Sequence, residues 1–472
     1  MFDDDFFDDD FRDMDNLLIE FHKLKNGDAH DLIQEEEFEL LIDYFDSQND
    51  RENAQLACEY ATTLYPFSAS MYLCKAEWLF NQKKYGQALK VMDQLRQIDP
   101  NNIEALFLES DIYIEQNRHE EAIVLLKRAV ENYSGNEKSD ILLEISEVYD
   151  ELEEFDKVYE TLKRILKEDA ENEEALMRIC FWAELTNNQE DSIALHQEIT
   201  DEFPFNATAW YNLGVAFQGI DLFEEAIDAY DYCLAIDDKY EYAYRNQGDA
   251  FIQLKQFDKA IEVLETHLTL TKPEDIILEA LGYCWEKQKQ FAKARVYYRQ
   301  ASQLNPKDDQ IFFKIGETYT KESQWEKAIK AYSVALHINK NNVAYCMALG
   351  NCLMELNSEK EALVCYLNAV QLRPDIKSTW QALVKAMYAT NYLDEALAQL
   401  IIAEEHCGHK TEFVFYKAAI LLAKGKTKDA VLYLEQALLE NPKKVTALRF
   451  IDAELMHHPA FADVLIQYKK GK

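Results

Sequence analysis

The chain has 472 residues, 48% of them hydrophobic, but only 12 glycines and 8 prolines. With no Ser/Gly/Pro-rich linker, this excludes a loop-rich or low-complexity protein and predicts an all-α fold of long helices joined by short turns. The formal net charge is −38, split as −40 over residues 1–250 and +2 over residues 251–472, so the first half repels nucleic-acid phosphates and steers basic proteins or peptides toward itself.

No run approaches the ~18 apolar residues of a membrane span. The start, MFDDDFFDDDFRDMD, has neither the basic beginning nor the apolar core of a secretory signal. Nine cysteines, none in a CxxC, read as reduced packing residues. A cytoplasmic protein with no membrane partner is expected.

In chain order, residues 1–14 hold FDDDFFDDDF, acidic and aromatic with no core-forming period, and are expected to be a disordered tail. Residues 15–34 read as an N-terminal capping helix, with Leu17, Leu18, Phe21 and Leu24 apolar and Gly27 ending it. From there a small residue after two residues rich in Glu, Asp or Lys recurs: Ala54, Ala88, Ala122, Val158, Ser192, Ala226, Ala260, Ala294, Ala328, Ala362, Ala396 and Ala430. Every step is 34 residues except one of 36 between Ala122 and Val158, assigned to an insertion in NYSGNEKSD. Numbering the small residue as the twentieth of its unit places starts at 35, 69, 103, 139, 173, 207, 241, 275, 309, 343, 377 and 411. Position 8 is then glycine at 214, 248, 282, 316 and 350, and six of the eight prolines fall at position 32. Units at 139, 173 and 377 depart from this, with Ser146, Cys180 and Val384 at position 8 and His196 at the usually aromatic position 24, so altered packing angles are expected there, and a bend at the 36-residue step. Residues 445–472 read as a capping helix followed by a short helix after Pro459.

Over residues 35–444 this pattern resembles the tetratricopeptide repeat family, whose 34-residue unit carries large residues at 4, 11 and 24, small ones at 8, 20 and 27, and proline at 32. The resemblance implies a right-handed α-solenoid superhelix of about twelve helix-turn-helix units with terminal capping helices, stabilised by nearest-neighbour stacking. Small residues let the two helices of a unit cross closely, and proline ends the second helix.

In such arrays the first helix of each unit lines a concave groove, with positions 2, 5, 6, 9, 12 and 13 facing inward. Asn212 and Asn246 both fall at position 6, where an amide can pair with the N–H and C=O of an extended peptide. They resemble two rungs of the asparagine ladder in the superhelical repeats of O-linked N-acetylglucosamine transferases, although no glycosyltransferase domain is present. Around them Tyr211, Tyr242, Tyr283 and Phe313 offer apolar area, Arg178, Arg245 and Lys314 offer cations for carboxylates, and Asp249 completes the expected peptide-binding set. No three units carry the two-carboxylate clamp of chaperone-tail-binding repeats.

No GxSxG, phosphate-cradling glycine loop or HExxH occurs, so the reading is non-catalytic and without cofactor. His406, Cys407 and His409 lack a remote fourth metal ligand, and His457 and His458 read as cap residues. Two functions are expected as alternatives. One is an interaction scaffold that captures protein or peptide segments in its groove; the other is a regulatory or assembly subunit docking a basic protein through its acidic first half and tail. Exposed groove aromatics equally serve self-association.

Overall fold

The computed structural model describes residues 6–28 and 32–470. Among these there is no strand. The chain forms two units, residues 1–238 and 239–472. Because residues 239–250 carry two charges of each sign, the first unit holds the −40 and the second the +2.

The first unit opens with α1 (Phe6–Asn26). It continues as helix pairs α2 and α3 (Glu35–Ser47, Arg51–Leu64), α4 and α5 (Ala69–Asn81, Tyr85–Ile98), α6 and α7 (Ile103–Glu115, His119–Val130), α8 and α9 (Asn136–Glu151, Phe155–Glu168), α10 and α11 (Glu173–Leu185, Gln189–Glu202), and α12 and α13 (Ala207–Gln218, Phe223–Ile236). The expected tail falls partly on residues 1–5, which lie outside the described residues; from Phe6 the chain is helical. Leu17 and Phe21 of α1 are buried, and the Phe21 ring lies 5.1 Å from that of Phe45.

The second unit contains α14 and α15 (Glu241–Gln253, Phe257–Leu270), α16 and α17 (Asp275–Lys287, Phe291–Leu304), α18 and α19 (Asp309–Lys321, Trp325–Ile338), α20 and α21 (Val343–Glu355, Glu359–Leu372), α22 and α23 (Lys377–Ala389, Leu393–Cys407), and α24 and α25 (Thr411–Ala423, Thr427–Glu440). It closes with α26 (Thr446–Ile451) and α27 (Pro459–Lys470), whose Leu448 and Phe461 are fully buried. Consecutive packed pairs of this kind make the fold an α-solenoid. The first helix of each pair is called A below, the second B.

Each A helix stops in the same way. The residue at position 15 is left-handed in every pair: Asn49, Lys83, Asn117, Glu153, Asn187, Asp221, Lys255, Lys289, Ser323, Asn357 and Asn391 have φ between 55° and 63°, and Gly425 has 75°. At Asn357 its N–H donates to the Met354 carbonyl at 3.0 Å and the next N–H, of Ser358, to the Leu353 carbonyl at 2.9 Å, the paired bonds that satisfy a helix's last carbonyls. At the other end, Asn102, Asn172 and Asn206 accept from backbone N–H groups of the first turn of α6, α10 and α12.

Between these stops the helices of a pair approach until position 8 meets position 24. A methyl added at Gly350 would lie 2.6 Å from the Tyr366 ring, and Gly214, Gly282 and Gly316 face Tyr230, Tyr298 and Tyr332 equally closely. Where position 8 is larger, position 24 is smaller: Ile42 stands with Cys58, Ser146 with Leu162 and Val384 with Leu400. The α10–α11 pair is the exception, with Cys180 at position 8 and His196 at position 24. His196 is fully buried, neither ring nitrogen nor the nearby Ser192 hydroxyl has a partner, and burial pushes the imidazole down to about 3.

Gly350→Ala is therefore expected to destabilise the chain by about 1–3 kcal/mol through overpacking, and to cost much less in a Tyr366→Leu background; a denaturant double-mutant cycle measures the coupling. His196→Leu should stabilise by about 1–3 kcal/mol by removing unpartnered buried nitrogens. The wild-type imidazole must stay neutral to remain folded, so its contribution is complete above pH 6.5 and is lost as pH falls toward 3. Melting curves from pH 7 to 4 should show a smaller acid loss in the variant.

Candidate functional site

Because hairpin packing uses positions such as 8 and 24, other A-helix positions remain for solvent or ligands. In the first unit, position 9 is acidic on four consecutive A helices: Asp43 on α2, Glu77 on α4, Asp111 on α6 and Glu147 on α8. Glu39, Glu104, Glu115, Glu144 and Glu151 stand around this row. Glu77 is held above the usual carboxylate range by partial burial and by Glu104, Asp43 and Glu39. Burial likewise raises Asp111, helped by Glu147, Glu115 and Glu151. Glu144 is pushed up to about 7 by burial first, then by Asp111 and Glu147.

Few cations relieve this crowding. The Arg178 Nη1 donates to Glu147 at 3.2 Å, and the His119 Nε2 lies 3.1 Å from Glu151. Among the described residues no Lys or Arg is within salt-bridge distance of Asp43, Glu77, Asp111 or Glu144. The face is a run of carboxylates whose mutual repulsion is largely uncompensated.

The expected groove residues divide between the units: Arg178, Tyr211 and Asn212 lie in the first, and Tyr242, Arg245, Asn246, Asp249, Tyr283, Phe313 and Lys314 in the second. Asn212 requires a correction. It is 2% exposed, and its Nδ2 donates to the Leu176 carbonyl of α10 at 2.7 Å, so it joins neighbouring A helices and does not present its amide as a rung. The rest of WYNLG serves the same packing, since Trp210 donates through Nε1 to the Pro204 carbonyl at 2.9 Å and Gly214 admits the Tyr230 ring. Tyr211 is half-buried, 6.0 Å from the Tyr230 ring.

The expected cations are already paired. Besides Glu147, Arg178 contacts Glu174 at 3.3 Å; Arg245 reaches Glu274 at 3.8 Å; Lys314 binds Glu279. Asn246 is half-buried and engaged, Asp249 is exposed, and Tyr242 is exposed with its ring 6.4 Å from Tyr240. Tyr283 lies under the Lys287 ammonium at 4.7 Å. Phe313 stacks on Tyr345 at 4.8 Å and walls a cleft of about 450 Å³ in the second unit. Glu317, Asn351 and Lys385, at position 9 of α18, α20 and α22, share this cleft, and Phe450 of α26 borders it.

The position-9 row was missed in reading the sequence, although its spacing of 34, 34 and 36 residues repeats the proline and glycine register. At the turn near residue 407, the Cys407 Sγ approaches the Pro374 carbonyl at 3.4 Å and His409 Nε2 lies 3.0 Å from Glu440. No group of three potential metal ligands occurs among the described residues. Nor is any described helix long and apolar enough to cross a membrane.

Tetratricopeptide repeat family models match residues 79–138, 187–241, 243–276, 276–308 and 343–376. The chain is a tetratricopeptide repeat protein. Its repeats make it a protein-interaction scaffold. No curated protein sequence matches it. Among solved structures, it is similar to YrrB, described as a TPR protein with an unusual peptide-binding site, at 19% identity and TM-score 0.36 over 42% of this chain and 97% of that one. The APC/C hetero-tetramer Cut9–Hcn1 matches at 12% identity and TM-score 0.32, covering 82% of this chain and 96% of that chain. The C-terminal part of a TPR repeat-containing protein from Cytophaga hutchinsonii matches at 15% identity and TM-score 0.44, covering 50% and 95%.

The crowding of carboxylates has a pH signature in this tetratricopeptide repeat protein. A carboxyl raised on folding favours the protonated folded state, so the stability it contributes is complete below about pH 4.5 and is lost as pH rises through about 7. Glu144→Gln should raise the melting temperature at pH 8 and leave it nearly unchanged at pH 5, which differential scanning calorimetry at the two pH values measures.

Proposed function

We propose that the A-helix face of the first unit receives a positively charged, extended segment of a protein partner. The observation that carries this is the row Asp43, Glu77, Asp111 and Glu147, one carboxylate per repeat without a balancing cation for the first three. The expected capture of a segment by the groove and the expected docking of a basic partner thereby fall on one surface. The asparagine ladder is set aside at Asn212, whose amide is spent inside the fold.

The register also suggests a spacing. Packed helices lie about 8–10 Å apart, and an extended chain rises about 3.3 Å per residue. One cation at every third residue keeps step with one carboxylate per repeat. Arg suits this better than Lys, because its planar fork can take two oxygens at once. Such a contact is non-catalytic, reads charge and spacing more than side-chain shape, and fits a scaffold acting in the cytoplasm on a basic protein.

A fluorescent twelve-residue peptide with Arg at every third position, titrated by anisotropy into the full chain, tests this. Binding is expected at 50 mM salt and should weaken steeply by 300 mM, where the screening length is shorter than the gap between repeats. The combined variant D43N/E77Q/D111N/E147Q should bind at least tenfold more weakly. Equal affinity for the two proteins, or no binding at low salt, overturns the reading.

A further inference from the structure

The acidic row ends abruptly at α10. Position 9 there is Phe181, flanked along the same helix by Met177 four residues before and Leu185 four residues after. These three side chains are 61%, 69% and 49% exposed, respectively, although their i, i+4, i+8 spacing makes one apolar stripe. Large apolar side chains grouped on a surface mark contact sites more often than isolated ones do.

The stripe is held in place and joined to the acidic row. Phe181 packs edge-on against Trp182 at 4.9 Å, and Trp182, itself buried, stacks on Phe155 at 5.4 Å, so one side of the exposed ring rests on packed aromatics. Arg178, one residue from Met177, reaches Glu147 of α8 at 3.2 Å. Acidic and apolar surfaces therefore meet edge to edge within the first unit.

We infer that the partner segment carries a bulky apolar anchor at one end of its cationic stretch, and that this anchor seats on Met177, Phe181 and Leu185. The inference rests on the acidic-face reading and deepens it. Charge complementarity selects this occupant. The chain's own start, MFDDDFFDDD, has apolar residues but six aspartates, which the neighbouring carboxylates repel. The first unit of a second copy is repelled for the same reason. A cationic segment with an apolar end satisfies both parts at once: the cations bring it to the face, and the anchor adds a desolvated contact that salt does not screen.

The test uses three labelled peptides on the full chain: the Arg-every-third-residue peptide alone, and the same peptide with Leu-Trp-Leu added at either its N- or its C-terminus. One of the two anchored peptides is expected to bind at least tenfold more tightly than the plain one. That gain should vanish in M177S/F181S/L185S, whose affinity for the plain peptide should match wild type; the three positions are exposed, and an unchanged melting temperature verifies the fold. If neither anchor adds affinity, or the gain survives in the variant, the inference is overturned while the acidic-face reading stands. If the plain peptide does not bind wild type at all, the acidic-face reading fails and the inference falls with it. Sedimentation of the peptide-free protein gives the remaining outcome: an oligomer that the triple variant converts to monomer, with no gain from either anchor, assigns the stripe to a second copy and overturns the inference.

Discussion

The close approach of position 8 to position 24 governs most of this molecule. A tyrosine ring over a glycine backbone, as at Gly350 and Tyr366, leaves no room for even a methyl group, and the left-handed residue at position 15 returns the chain at the distance this contact requires. The contact is one of matched size, not of fixed identity. Ile42 over Cys58 and Val384 near Leu400 fill comparable space with the large and small partners redistributed. Close packing of this kind tolerates exchange of volume across an interface much better than a net change. Cys180 with His196 departs from the scheme chemically, placing at position 24 a buried imidazole without a hydrogen-bond partner, where Tyr298 and Tyr366 find acceptors for their hydroxyls.

Concentrating the packing demands on a few positions leaves the A-helix face unconstrained by the fold. The first four A helices of the first unit carry carboxylates there in an unbroken run and the rest do not: position 9 reads Asp43, Glu77, Asp111, Glu147, Phe181 and Val215 in one unit, and Asp249, Tyr283, Glu317, Asn351, Lys385 and Ala419 in the other. The repulsion among the acids works against folding, since charge close to like charge in a partly buried setting raises the free energy of the ionised state. Three carboxylates of that row, Asp43, Glu77 and Asp111, have no Lys or Arg of the described residues beside them, and the proposed cationic partner accounts for them better than a packing role does.

The fold was legible because its signals are local and repeated. Gly350, Ala362 and Pro374 each answer to one steric demand, and that demand recurs every 34 residues. The left-handed turns were not legible, because Asn, Lys, Glu, Asp and Ser all occupy position 15 and only Gly425 advertises the conformation. The site was partly legible. The excess of acid in the first half of the chain marks where the proposed face lies, whereas Asn212 and Asn246 have the residue type and register of a ligand-binding amide. Residue type alone does not separate an amide that serves a ligand from one that caps a carbonyl on the neighbouring helix, and Asn212 does the latter. The cations misled for a similar reason: Arg178, Arg245 and Lys314 stand in a field of acids and are paired within the chain.

The same electrostatics links binding to protons. Glu144, pushed up to about 7 with burial as the main cause and Asp111 next, is partly protonated near neutral pH in the unliganded chain. A guanidinium arriving beside it favours the ionised form, so part of the binding free energy goes into releasing that proton, and less is needed once the carboxylate is already charged. The acidic face is thus not a passive surface of fixed charge. Burial first, and neighbouring carboxylates second, raise Glu77, Asp111 and Glu144, and the cationic segment proposed here would relieve the second of these two causes.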